Sequence, residues 1–240
     1  MEVELKDLER FPHPHLAVDV ALLTLHEGAL HALLLPRPSA PYAGAFSLPG
    51  GFVRIDESVE HATARVLAQK CGLREVFVEQ LYTFGAVRRD PRARVVSVAH
   101  YALVPSKRLS PALEQPGAVL ARLEALGDDA EVRGIEAFAQ DKPLKLAFDH
   151  AEILGLAVQR LRGKIDYAPV GFELLPASFT LLDLLAVHQA VLGRELNKDS
   201  FRRRMLASGR IAPTGASRTG EAYRPAALYR FKRSRSSSRS

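Results

Sequence analysis

The chain has 240 residues, 47% of them hydrophobic, which supports a proper core in one large domain or two smaller ones. Its single cysteine, Cys71, excludes an internal disulfide and a cysteine zinc site, and no stretch approaches the ~20 apolar residues that span a bilayer. The formal net charge of +6 is uneven: Arg194 to Ser240 holds 13 Lys or Arg against 3 Asp or Glu, whereas residues 1–193 are net acidic, an asymmetry that points to a nucleic-acid or acidic-surface partner.

The opening Met1-Glu-Val-Glu-Leu-Lys-Asp7 is too charged for a signal peptide, so the expectation is a soluble cytoplasmic protein. Leu16 to Leu25 alternates in part and predicts a half-buried strand; the turn at His26-Glu-Gly28 and the run Leu30 to Leu35 make a hairpin of it. Pro36-Arg37-Pro38 ends the second strand, with Arg37 placed either to meet an anionic ligand or to be solvated. The loop Pro41 to Pro49, which contains Phe46, delivers the chain to Gly50-Gly51, whose permissive backbone suits a tight turn. Val59, Ala62, Val66 and Leu67 then recur near helical spacing, with Asp56 or Ser58 as N-cap, Gly72 as C-cap and Cys71 as a packing residue.

Val76 to Gly85 predicts another strand, and Val95 to Val104 a strongly β-like one. Between them, Arg88 to Arg94 sets four arginines around one aspartate, either a loop able to clamp a pyrophosphate bidentately or a solvated hairpin tip. Beyond Pro105, Ala118 to Leu126 predicts a short helix, Gly127-Asp-Asp a turn, and Phe138 to Leu144 a strand or an irregular connection. Ala147 to Arg162 is a long amphipathic helix, with Asp149 as N-cap and Gly163 as terminator. Asp149, His150 and Glu152 diverge on such a helix and make no metal site, so its role is to join domains.

From Tyr167 the character changes. Phe172 to Pro176 is a short strand or extended link. Thr180 caps a helix that Gly193 ends, and Asn197 caps a second, Lys198 to Ala207: a helix-turn-helix. Phe201 and Met205 anchor the second helix while Lys198, Arg202, Arg203 and Arg204 face outward, as a recognition helix requires. Ile211 to Phe231 offers two extended runs, a wing with Arg218 at its tip and Arg224 opening the return strand. The DNA-binding candidates are Lys198, Ser200, Arg202, Arg203, Arg204, Thr214, Arg218 and Arg224, the arginines supplying counterion-releasing attraction. An RNA- or protein-binding face is the competing reading. The expected division is 1–145, 146–232 and a basic Ser/Arg tail, 233–240.

Gly51, Glu57, Arg65, Leu67, Gly72 and Leu73 match the spacing of the Nudix box, G-x5-E-x7-R-E-U-x-E-E-x-G-U with U aliphatic, and this stretch resembles that family. Where active members carry metal-binding glutamates, this chain has Val66, Gln69 and Lys70: no ligand, a neutral carbonyl and a positive charge. The resemblance therefore implies a Nudix fold without catalytic residues or metal, with Glu57 and Arg65 left as a salt bridge. Gln80 to Phe84, Arg89 to Arg92 and Val95 to Val98 resemble the branch of ADP-ribose-responsive regulators and their hydrolase relatives, which implies Arg37, Phe46, Glu57, Arg89, Asp90 and Arg92 as ligand-binding residues. Phe46 could stack on a base or belong to the core.

Leu175 to Leu182, Asn197 to Arg203 and Arg224 to Tyr229 complete a resemblance to the NrtR family of Nudix-related transcriptional regulators of NAD biosynthesis. It implies an α+β chain: a Nudix-like α/β/α sandwich followed by a winged helix-turn-helix domain. It also implies a homodimeric repressor on double-stranded DNA, with ADP-ribose or a related nucleotide as effector and no cofactor. The alternatives are a divergent Nudix hydrolase acting on ADP-ribose-like nucleoside diphosphates and an RNA-linked scaffold.

Overall fold

The computed structural model describes residues 12–127, 132–218 and 225–232. Strand β1 (His15–His26) is buried throughout Ala17–Thr24. Because successive strand side chains point to opposite faces, a run apolar at nearly every position needs cover on both sides. It sits accordingly at the centre of a sheet. Antiparallel β2 (Ala29–Pro36) flanks it on one side, pairing Leu25 with Leu30; parallel β6 (Val95–Leu103) flanks it on the other, pairing Leu16 with Val96. With β3 (Phe46–Ser47), β4 (Gly50–Phe52), β5 (Phe77–Phe84), β7 (Val119–Gly127), β8 (Val132–Ala139) and β9 (Lys142–Pro143), the order is β5-β6-β1-β2-β7-β8-β9. β3 pairs with β2, and β4 with β1.

One face is covered by α1 (Val59–Cys71) and the short α2 (Ser110–Leu113): Val18, Val20, Leu22 and Leu33 of the sheet pack on Ala62, Val66, Leu67, Cys71 and Ala112. Of the two cap candidates, Ser58 serves, its hydroxyl accepting from the His61 amide at 3.2 Å, and Gly72 closes the helix at φ 65°. Burial pushes the Cys71 thiol up to about 12, in keeping with a packing role. The other face packs Ala21, Leu23, Ala32, Leu34 and Tyr101 against Ile153, Leu154, Ala157, Val158 and Leu161 of α3 (His150–Lys164). The result is a three-layer α/β/α sandwich.

The winged helix follows as α4 (Leu181–Leu192), α5 (Lys198–Ala207) and the ribbon β10 (Ile211–Arg218) with β11 (Ala226–Phe231). Thr180 and Asp183 form a reciprocal capping box at α4, and the Asn197 side chain caps α5. Phe179, Leu184, Val187, Val191, Phe201, Met205 and Ile211 belong to the same apolar cluster as the inner face of α3. Polar bonds reinforce this junction: Arg162 Nε donates to the Val191 carbonyl at 3.0 Å, and Arg210 Nη2 to that of Tyr167 at 2.7 Å.

Four expectations need correction. Leu16 to Leu25 is not half-buried: Ala17 to Thr24 is buried on both faces, because α1 and α3 cover the sheet from either side. Ala118 to Leu126 is strand β7, not a helix: its Ala and Leu content favours helix, but the open edge of β2 pairs Ala32 with Ala121 and buries Ala121 and Leu123. Phe172 to Pro176 is no strand, because a 3-10 turn covers Pro169–Leu174. Gly163 lies inside α3, which runs to Lys164. Asp149 does hold the expected N-cap position of α3, although its carboxylate pairs with Arg89 instead of capping the helix. The open choice at Phe138 to Leu144 resolves into the end of β8 and β9, which pair Phe138 with Pro143. Arg224, most of the Gly127-Asp-Asp turn and the tail from residue 233 lie outside the described residues. Among the described residues, no helix is long and apolar enough to cross a membrane.

Candidate functional site

The approach of β4 to β1 forms the site. A Cβ on Gly50 would lie 2.2 Å from Asp19 Oδ1 and 2.8 Å from the Val18 carbonyl, so only glycine fits there. With the turn drawn in, Lys70 in the last turn of α1 donates from Nζ to the Gly50 carbonyl at 2.5 Å. Arg37, at the end of β2, donates from Nε to the Pro41 carbonyl at 2.9 Å. Loop residues Arg89, Asp90 and Arg92 close one side and Phe148 and His150 another, around a cleft of about 250 Å³.

The floor is a buried ionic cluster. Arg89 donates to both Asp149 oxygens, from Nε at 2.7 Å and Nη2 at 2.6 Å, and reaches Asp19 at 3.3 Å. The Ser97 hydroxyl donates to Asp19 at 2.6 Å. His150 accepts from the Leu48 amide at Nδ1 (2.9 Å), and its Nε2 lies 3.6 Å from Asp19. Burial lowers the His150 pKa, and because Nδ1 accepts from Leu48, a neutral ring carries its proton on Nε2, toward Asp19. Asp90 holds Arg92 at 2.7 and 3.0 Å, and that pairing keeps its carboxyl below the usual range. Burial lowers the Lys70 pKa, with Asp19 opposing.

A second hollow, of about 720 Å³, adjoins the cleft at Arg89 and Phe148 and is lined by Tyr42, Tyr82 and Phe84. Phe148 stands at the junction with φ 53°. Arg37 lies 4.7 Å and Arg92 5.7 Å from its ring centre, and Tyr42 meets it edge-on at 4.9 Å. A cationic lobe thus opens onto an aromatic one, a shape suited to a ligand with phosphates at one end and a flat ring at the other.

Of the ligand-binding candidates, Arg37, Arg89, Asp90 and Arg92 come together here. Phe46 and Glu57 do not line the cleft. Phe46 packs from β3 against the main core. Glu57 pairs with Arg65 at 2.5 and 2.9 Å, which holds its carboxyl down at about 2. Phe148 and Asp19 are not among the sequence candidates, and His150 is weighed there only as a metal ligand and set aside; a lone aromatic before a helix start is the only signal for Phe148. A divalent ion does not fit. Val66 is buried in the core, Lys70 points its ammonium at the turn, and Asp19 is already bound by Arg89 and Ser97. Among the described residues, no three His, Cys, Asp or Glu side chains could hold a metal.

On the winged helix, Phe201 and Met205 are buried and Lys198, Ser200, Arg202, Arg203 and Arg204 exposed. Lys198 and Arg202 face a groove toward the wing with Ser217 and Ala227. Arg203 reaches the Ser200 hydroxyl at 3.5 Å. Arg204 turns the other way, to Asp166 at 3.2 Å. Thr214 donates to the Leu228 carbonyl inside the ribbon, and Arg218 pairs with Asp183 at 2.7 Å.

Residues 13–155 match the NUDIX domain family, and residues 171–231 match the NrtR DNA-binding winged helix domain. An ADPR responsive transcriptional repressor, NtrR, from Acinetobacter baylyi is 34% identical over 92% of this chain and 83% of its own length. The crystal structure of Shewanella oneidensis NrtR complexed with a 27mer DNA is 34% identical, covers 90% of this chain and 93% of that one, and has a TM-score of 0.75. A MutT/nudix family protein from Enterococcus faecalis is 25% identical over 97% of this chain and 95% of its own, with a TM-score of 0.78.

Proposed function

The chain belongs to the NrtR family, a NUDIX domain joined to a winged helix, and on that footing we propose that it is a DNA-binding transcriptional repressor whose cleft takes ADP-ribose as effector. The observation that carries this reading is the union, in one apolar cluster, of a two-lobed cationic and aromatic cleft with a basic winged helix. Diphosphate suits the arginine-lined lobe, and adenine suits the tyrosine-lined one. The Acinetobacter relative's name states ADPR responsiveness, and the Shewanella relative was crystallised on DNA.

Val66, Gln69 and Lys70 in place of carboxylates support binding without cleavage. Lys198, Ser200, Arg202 and Arg203 are the residues for DNA, with Thr214 and Arg218 on the wing side and Arg224 as a further contact. Arg204 and Arg218 exchange their intramolecular partners for phosphate on binding. The protein acts as a homodimer on a near-palindromic operator, in the cytoplasm where the chromosome of its bacterial relatives lies. Its genes are those of NAD metabolism.

Fluorescence anisotropy tests this reading. Labelled duplexes from the chain's own upstream region and from neighbouring NAD-metabolism genes are titrated with protein at fixed salt over random competitor, with and without ADP-ribose. Specific binding weakened or strengthened by ADP-ribose is expected. Binding no tighter than to random duplex on every fragment rejects the repressor, and release of AMP from ADP-ribose with magnesium rejects binding without cleavage.

A further inference from the structure

The cleft's charges are not equivalent. Arg89 is neutralised by Asp149 and Asp19, and Arg92 by Asp90. Arg37 and Lys70 each donate to a main-chain carbonyl, and among the described residues neither has a carboxylate within salt-bridge distance, although the Asp19 charge is felt at Lys70. They are the two cations of the cleft with charge to offer an incoming anion. An ammonium is a compact point charge with three donors, of which Lys70 uses one on Gly50. It projects from the helix face where the Nudix resemblance calls for metal-binding glutamate, in a cleft unfit for a divalent ion.

We propose that Lys70, with Arg37, binds the diphosphate of the effector directly and takes the part of the divalent ion, so that effector binding is independent of metal. This rests on the reading of the cleft as a site for ADP-ribose. A carboxylate–metal bridge can be stripped by a chelator and polarises the phosphate for attack. A lysine tethered to the helix and hydrogen-bonded to the turn does neither: it supplies one fixed positive charge and activates no water. With Val66 and Gln69 removing the other carboxylates, Lys70 thus replaces a metal-dependent site with one that reads diphosphate alone.

Calorimetric titration of the full chain tests this, with ADP-ribose in EDTA and in magnesium, and with adenosine as a probe without phosphate. Wild type is expected to bind ADP-ribose with the same Kd, within twofold, in both buffers. Lys70→Met should weaken ADP-ribose at least tenfold and leave adenosine within twofold; Lys70→Arg should recover most of the loss. The Lys70 side chain is largely in solvent and only its ammonium, on the Gly50 carbonyl, is withdrawn from water, so Lys70→Met should melt within a few degrees of wild type. Added salt should weaken wild type more steeply than Lys70→Met. ADP-ribose binding that requires magnesium overturns the inference and leaves the effector reading intact. So does a Lys70→Met affinity equal to wild type, or an equal loss for adenosine. No ADP-ribose binding in either buffer overturns the effector reading and the inference with it.

Discussion

Replacing Arg89 by methionine keeps the length of the side chain and removes its charge. The guanidinium is 4% exposed, and the carboxylates it bridges, Asp19 and Asp149, are 11% and 14% exposed, so all three depend on one another rather than on water. Breaking a buried pair by removing one partner costs about 3–5 kcal/mol, because the remaining charge is left uncompensated. Asp19 keeps the Ser97 hydroxyl, and both carboxylates retain some solvent, which places the loss at the lower end, about 3 kcal/mol. For a chain of this size each kcal/mol lowers Tm by about 2–4 °C, so Arg89→Met should melt about 6–12 °C below wild type. Asp149→Asn in the Arg89→Met background removes one orphaned charge. The double variant should therefore be at least about 1 kcal/mol more stable than the sum of the single losses predicts. Urea unfolding of the four proteins measures the cycle. Additive losses, with Arg89→Met within about 1 kcal/mol of wild type, would refute the argument that this cluster holds the cleft floor.

His188 makes stability depend on pH. It is buried against Phe201, facing Asp166, Arg204 and Arg210, and burial lowers its pKa to about 4. The unfolded chain, with an ordinary value near 6.5, binds the proton first, so stability falls as pH drops from about 6.5 to 4, by up to about 3 kcal/mol. His188→Gln should flatten that part of a urea-denaturation profile against pH; an unchanged slope rejects the assignment. Thr180→Ala removes half of the capping box and should cost about 1 kcal/mol, read as a Tm drop of about 2–4 °C with α5 unaffected. Arg202→Ala should reduce the slope of log affinity against log salt by about one unit on any duplex, measured by anisotropy; a loss confined to one operator base pair would make it a base reader instead.

What the sequence discloses is what local chemistry decides. Val59, Ala62, Val66 and Leu67 between Ser58 and Gly72 specify a helix by spacing and caps, and it forms at Val59–Cys71. The same holds for α4 and α5 with Thr180, Gly193 and Asn197. Arg37 at a strand end, and Arg89, Asp90 and Arg92 through an arginine-rich loop and the family resemblance, could be put forward as candidates, and the fold gathers the four around one cleft. Ala118 to Leu126 misled, since its helix formers satisfy the edge of β2, which no local pattern reveals. Phe148 and Asp149 were hidden for a related reason. One takes its place from a left-handed backbone angle, the other from a partner 60 residues away. Nor does spacing tell which basic side chains have intramolecular partners, as Arg204 does in Asp166 and Arg218 in Asp183.

The unbroken apolar cluster from the sheet through α3 into α4 and α5 makes the molecule a lever. Domains tied by a polar linker would lose any small displacement in free rotation. Here α3 begins at the ionic floor of the cleft and ends at the turn whose Asp166 holds Arg204. Its 15 residues span about 22 Å, so a tilt of about 5° at Asp149 carries the far end about 2 Å. With the inner face of α3 packed in one apolar cluster with the sheet and α4, such a tilt would be shared by the winged helix rather than lost at a hinge.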